Sequence, residues 1–88
     1  MTAKFTKDEV IKEIAKCLAK EVGGHYADAS AGTHLDGLDE LEMEQLIGGV
    51  LSVYDMDGME SAMSMTIDQE STVGEMADWI IDHAKSAE

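Results

Sequence analysis

The sequence lacks proline and arginine, has a single cysteine, and carries no lysine between residues 21 and 84. With no proline present, the apolar residues recur at spacings of three and four, which predicts an all-α fold. The lone Cys17 cannot form an internal disulfide and therefore suits a reducing cytosol. The first residues lack the apolar run of a signal peptide, and the longest nearly continuous apolar stretch, LIGGVLSV, is too short to span a bilayer. We therefore expect one soluble, cytoplasmic and monomeric domain over residues 1–88.

Acidic residues dominate the composition. The formal net charge is −13, and 15 Asp and Glu lie in the stretch from 21 to 84 that has no basic residue. Such a surface repels nucleic-acid phosphates and anionic lipid, so we expect neither nucleic acid nor membrane as a partner. It attracts basic protein surfaces and speeds encounter with them in a salt-sensitive manner. A high net charge also serves solubility alone, and the composition leaves both interpretations open.

Polar residues followed three positions later by Glu predict where the main helices begin. Three pairs share this capping-box spacing: Thr6 with Glu9, Asp39 with Glu42, and Thr72 with Glu75. From these starts and the apolar periodicity we predict helices over residues 7–22, 40–54 and 73–85, and a short third helix within 58–70. The predicted architecture is a small up-and-down four-helix bundle with a long first loop.

The second predicted helix has the most apolar sequence. Its expected inward-facing residues are Leu41, Leu46, Ile47, Val50, Leu51 and Tyr54. Gly48 and Gly49 lie inside this helix, and we expect them to allow either the close approach of another helix or a kink. In the long loop that precedes it, Leu35 and Leu38 are expected to anchor the chain over the bundle.

The segment GLDELEMEQLI, residues 37 to 47, resembles the Gly–Leu–Asp–Ser–Leu motif that opens the second helix of acyl carrier proteins. The similarity continues in VLSVYD at the end of that helix, and in STVGEMADWIIDH, which is similar to the Thr–Val start of the family's final helix. The resemblance covers nearly the whole chain and implies a bundle of acyl-carrier type. It also implies a phosphopantetheine arm, esterified to the motif Ser, that carries acyl groups in fatty acid, polyketide or peptide synthesis.

The attachment position departs from the family pattern. Gly37, Leu38, Asp39 and Leu41 match the motif, but Glu40 stands where the Ser would be. A carboxylate cannot accept the phosphopantetheinyl group, so no bound cofactor is expected. One hypothesis is that Glu40 places a fixed anion where the phosphodiester of the arm would lie, since helix N-termini favour negative charge. The alternative is that Glu40 is only a favourable residue with which to start a helix.

Two other functions remain open. In one, the protein is an active carrier that bears the arm on another hydroxyl, of which Ser30, Thr33 and Ser52 are the candidates, although none is predicted at a helix start. In the other, it is an acidic regulatory or structural protein unrelated to acyl transfer. A salt titration and mass spectrometry would separate these functions.

The resemblance and the charge together predict two surfaces. Docking to basic patches on synthase, transferase or ligase enzymes is assigned to eight acidic residues: Asp36, Asp39, Glu40, Glu42, Glu44, Asp55, Asp57 and Glu60. The resemblance further implies an acyl pocket, for which the candidates are Leu46, Val50, Met59 and Met63. Methionines at helical spacing are also typical of an ordinary core.

No other chemistry is predicted. Paired carboxylates need a cleft that excludes water before they act as acid and base, and here they belong to an open helix surface, so we expect no catalytic residue and no enzyme. A calcium loop aligned on Gly58 of YDMDGME has Val53 and Ser64 at its first and last ligand positions, so we expect no calcium site there. His25, His34, His83 and Cys17 have no recognised ligand spacing, so no metal site is expected.

Overall fold

The computed structural model describes residues 6–86, and within this range the chain forms α-helices and no strand. The helices are α1 (Lys7–Glu21), α2 (Glu40–Val53), α3 (Glu60–Ser64) and α4 (Val73–Ser86), with a short 3-10 helix (Gly24–Tyr26) in the first loop. The predicted all-α fold is confirmed, and so is a short third helix within residues 58–70. None of the helices in the described part is long and apolar enough to cross a membrane.

Reciprocal hydrogen bonds fix the starts of the three main helices. At α2, the Glu42 N–H donates to Asp39 Oδ1 at 2.8 Å, and the Asp39 N–H donates to Glu42 Oε1 at 3.0 Å. The same pattern joins Thr6 to Glu9 at α1, and its counterpart is present at α4. Each box satisfies backbone donors that have no partner inside the helix, so local sequence sets these boundaries.

The core lies between α1, α2 and α4. Helix α1 packs on both α2 and α4, while α3 packs on α2. The fully buried side chains of the three long helices follow a helical spacing of three and four. They are Val10, Ile14 and Leu18 in α1, Leu46, Val50 and Leu51 in α2, and Val73, Met76, Ala77 and Ile80 in α4.

The long first loop is fastened to the chain that precedes α4. Leu35 and Leu38 are buried in the core, as predicted. The Leu35 N–H donates to the Ser71 carbonyl at 3.0 Å, and the Val73 N–H donates to the Thr33 carbonyl at 2.9 Å. These bonds place the segments before α2 and α4 side by side, so the loop that leads into α2 is hydrogen-bonded to the chain that leads into α4.

The prediction that Leu41 faces inward is wrong. Its side chain is 62% exposed, whereas Met43, which the apolar pattern did not select, is buried. At 100° per residue, Leu41 lies about 200° around the axis from Met43 and therefore on the opposite side of α2. Tyr54 is half-buried and forms the C-cap, since α2 ends one residue earlier than predicted, at Val53.

Of the two roles expected for the glycines of α2, the close approach of another helix is not found. A Cβ built on Gly48 would meet no atom within 4 Å, and one built on Gly49 would lie 3.9 Å from Cys17 Sγ, an ordinary van der Waals contact. Alanine could therefore occupy either position without displacing a neighbouring helix.

Candidate functional site

Glu40 is the first residue of α2, and its side chain is exposed. It follows the N-cap residue Asp39, whose carboxylate accepts from the backbone of the first turn. The negative charge of Glu40 therefore lies at the end of the helix where backbone N–H groups leave a partial positive charge. The local arrangement is that of a helix start that presents an anion to solvent.

The turn before Glu40 is held from two sides. The Leu38 side chain is buried, and the Gln69 Nε2 group, from the segment between α3 and α4, donates to the Leu38 carbonyl at 3.3 Å. On the other side, a Cβ on Gly37 would lie 2.8 Å from the hydroxyl of Tyr26. A side chain at position 37 would displace the Tyr26 hydroxyl, whereas glycine leaves room for it.

The predicted docking residues extend from the loop before α2, along α2 and the turn that follows it, to the first residue of α3. All eight are exposed except Glu42, which is half-buried in the capping box. Glu44 and Glu60 line one shallow groove between α2 and α3, so the acidic surface continues from α2 to the start of α3. Asp55 and Asp57 lie beyond the C-terminus of α2, which has 14 residues, and so about 20 Å from Glu40 along the axis.

The residues predicted for an acyl pocket belong to the core. Leu46, Val50 and Met63 have no exposed surface, and Met59 is half-buried against them. A groove of about 320 Å³ does lie beside Glu40, but other residues line it. Its lining consists of Glu40, Met43, Glu44, Ile47, Ser64, Ile67, Asp68 and Gln69.

The alternative hydroxyls lie away from the start of α2. Ser30 is exposed in the first loop, and Ser52 is exposed in the last turn of α2. The Thr33 hydroxyl accepts from the Ser30 N–H at 2.9 Å. None of the three has the exposed position at the first residue of α2 that Glu40 has.

The lysines of α1 form the ion pairs found within the described residues. Lys7 Nζ lies 3.2 Å from Asp78 of α4, and Lys16 Nζ lies 3.4 Å from Glu13 within α1. In the part of the chain that the structure describes, no ion pair involves Glu40 or Glu44. The charges of these two carboxylates are therefore not neutralised by a lysine of the described residues.

Cys17 is a half-buried thiol between α1 and α2. Burial, and then the charges of Glu13 and Glu21, raise the pKa of this thiol, so it stays protonated at neutral pH and is a poor nucleophile. His34 is exposed in the first loop, and the His25 side chain lies outside the described part. Among the described residues, no group of three or more His, Cys, Asp or Glu is arranged to hold a metal ion.

A third groove, which the sequence did not reveal, lies between α4 and the segment before it. It encloses about 610 Å³. We call it the α4 groove; its lining is Thr66, Ile67, Ser71, Glu75, Asp78, Trp79, Ile81, Asp82 and His83. The signal that could have revealed it is the spacing of three and four between acidic residues on the helix that carries Trp79.

Comparison of the chain with protein-family models, with characterised proteins and with solved structures finds no match. The fold itself defines a small all-α protein with an acidic surface. Its functional assignment rests on the residues of the site.

Proposed function

We propose that this protein is an acyl-carrier-like docking protein without a covalent phosphopantetheine arm. Its acidic second helix binds basic patches on enzymes of fatty acid, polyketide or peptide synthesis. The observation that carries the proposal is the position of Glu40, the exposed first residue of α2 inside an otherwise matching Gly–Leu–Asp–x–Leu turn. The carboxylate stands where the resemblance implies an esterified Ser.

The electrostatics of the helix start support a substitution of this kind. A negative charge in the first turn stabilises a helix by about 0.3–1 kcal/mol, and the same end of a helix binds phosphate groups. Glu40 therefore supplies an anion at the place where a carrier would hold the phosphodiester of its arm. A partner enzyme that recognises the negative charge of the arm on a carrier would therefore also find a negative charge here, on Glu40.

The surface next to Glu40 offers both charge and an apolar contact. Leu41 is among the most exposed large apolar residues of the described part, and Glu40 and Glu44 lie near it along α2. A partner that pairs Lys or Arg with these carboxylates also covers Leu41 and removes its side chain from water. The charges set the encounter rate and the orientation more than the final affinity.

Surface plasmon resonance against purified ketosynthases, acyltransferases and peptide synthetases tests docking. The variant Glu40→Gln/Glu44→Gln should lower the association rate several-fold, and rising salt should slow the wild-type association steeply. The matched control is Asp28→Asn/Glu70→Gln, which removes the same charge from exposed positions outside α2. Equal losses in the two variants, or association that does not respond to salt, would show that α2 is not the docking surface.

A further inference from the structure

The α4 groove has an apolar floor. The Ile67 side chain is buried, Trp79 is 8% exposed, and Ile81 is half-buried where it borders the groove. The enclosed volume of about 610 Å³ lies within the range of roughly 300–1,000 Å³ that is usual for binding clefts. A floor of this kind is covered favourably only by an apolar group.

The rim of the α4 groove is acidic on one side. Glu75, Asp78 and Asp82 are exposed and spaced by three and four, so they lie along one face of α4. Lys7 from α1 reaches Asp78, with its Nζ 3.2 Å from a carboxylate oxygen. The chain thus already shows a primary ammonium group paired with this rim.

The aromatic end of the groove is held in a fixed orientation. The rings of Trp79 and His83 stack with centroids 3.7 Å apart and planes 15° apart. His83 Nδ1 lies 2.8 Å from the Trp79 carbonyl oxygen, which can only accept, so Nδ1 carries the hydrogen in this bond. Because the pair is positioned before binding, a ligand does not have to order these side chains.

We infer that the α4 groove is a second docking site, which binds a basic segment of a partner protein with apolar side chains between its Lys or Arg residues. Charge complementarity selects this occupant. The three carboxylates repel nucleic acid and anionic lipid, and a polyamine would pair with the rim but would not cover the half-buried Ile81 side chain that borders the groove. The inference goes beyond the proposed function and does not rest on it, since the site lies on α4.

The fluorescence of Trp79, the sole tryptophan of the chain, reports on the floor directly. The probe is the capped peptide Arg-Leu-Arg-Leu-Arg, compared with Arg-Ser-Arg-Ser-Arg of the same charge and with spermine. We expect the leucine peptide to change the Trp79 emission and to bind about tenfold more tightly than the serine peptide. Amide shifts in a 15N spectrum should map its contacts to residues 66–83.

The variant Asp78→Asn/Asp82→Asn should weaken binding of the leucine peptide by about fivefold, because two rim charges are removed. The control Asp28→Asn/Glu70→Gln removes the same charge from exposed positions outside both proposed docking surfaces and should leave the affinity unchanged, while thermal unfolding verifies that every variant is folded. Three outcomes would overturn the inference: no change in Trp79 emission, equal affinity for the serine peptide or spermine, or equal losses in rim and control variants.

Discussion

Gly74 and Ala31 approach so closely that position 74 has no room for a side chain. The Gly74 N–H donates to the Ala31 carbonyl at 2.9 Å, and a Cβ built on Gly74 would lie 2.9 Å from that oxygen. This contact joins the first loop to the second residue of α4. The same loop leads into the start of α2.

Alanine substitution at two helical glycines should therefore have opposite effects. Alanine is favoured over glycine within a helix by about 1 kcal/mol, so Gly48→Ala, which meets no atom within 4 Å, should raise the free energy of unfolding by up to that amount. Gly74→Ala should lower it, because the new methyl group forces Ala31 away. Urea denaturation measures both, and a gain in stability for Gly74→Ala would show that the contact is not tight.

Truncation of two leucines of α2 tests which side of the helix faces the core. Leu46→Ala removes a fully buried side chain and should cost about 2–5 kcal/mol of unfolding free energy. Leu41→Ala removes an exposed one and should change stability by less than about 0.5 kcal/mol. Leu41→Ala should nevertheless weaken enzyme binding if α2 docks as proposed. Similar destabilisation by the two truncations would contradict the orientation of α2.

The ionisation of Tyr54 should make stability fall at high pH. Burial, and then the charge of Glu13, raise the pKa of its hydroxyl from 10.0 to about 12. The unfolded state therefore loses this proton first, and stability that is fully present below pH 10 declines as pH rises towards 12. Tyr54→Phe has no such proton and should lose less stability over that interval. Denaturation curves at successive pH values check this; parallel pH profiles for the two proteins would contradict it.

The helix starts were predictable because their determinants are local. Each capping box spans four residues, and the structure forms all three at the predicted positions. The inward face of α2 was less predictable, since Leu41 and Leu46 are equally apolar in sequence. The phase of the helix is set by packing against α1 and α3, which leaves Met43 buried and Leu41 exposed.

Contacts distant in sequence could not be predicted. The bonds between residues 31–35 and 71–74 join segments about 40 positions apart, and no local pattern marks their register. They explain why glycine is needed at position 74. By contrast, a Cβ at Gly48 or Gly49, inside the predicted α2, would meet no atom closer than 3.9 Å. The α4 groove is lined by residues 66–83 alone, and its far wall is the irregular segment before α4, whose path no helical periodicity marks.

Mass spectrometry after incubation with coenzyme A and a broad-specificity phosphopantetheinyl transferase tests the central claim most directly. The wild-type protein should stay unmodified, whereas Glu40→Ser should gain one arm per chain, because it restores a hydroxyl to the exposed first residue of α2. The control Glu44→Ser, one turn further along α2, should stay unmodified. A stoichiometric adduct on the wild-type protein, or a folded Glu40→Ser variant that gains none, would contradict the account.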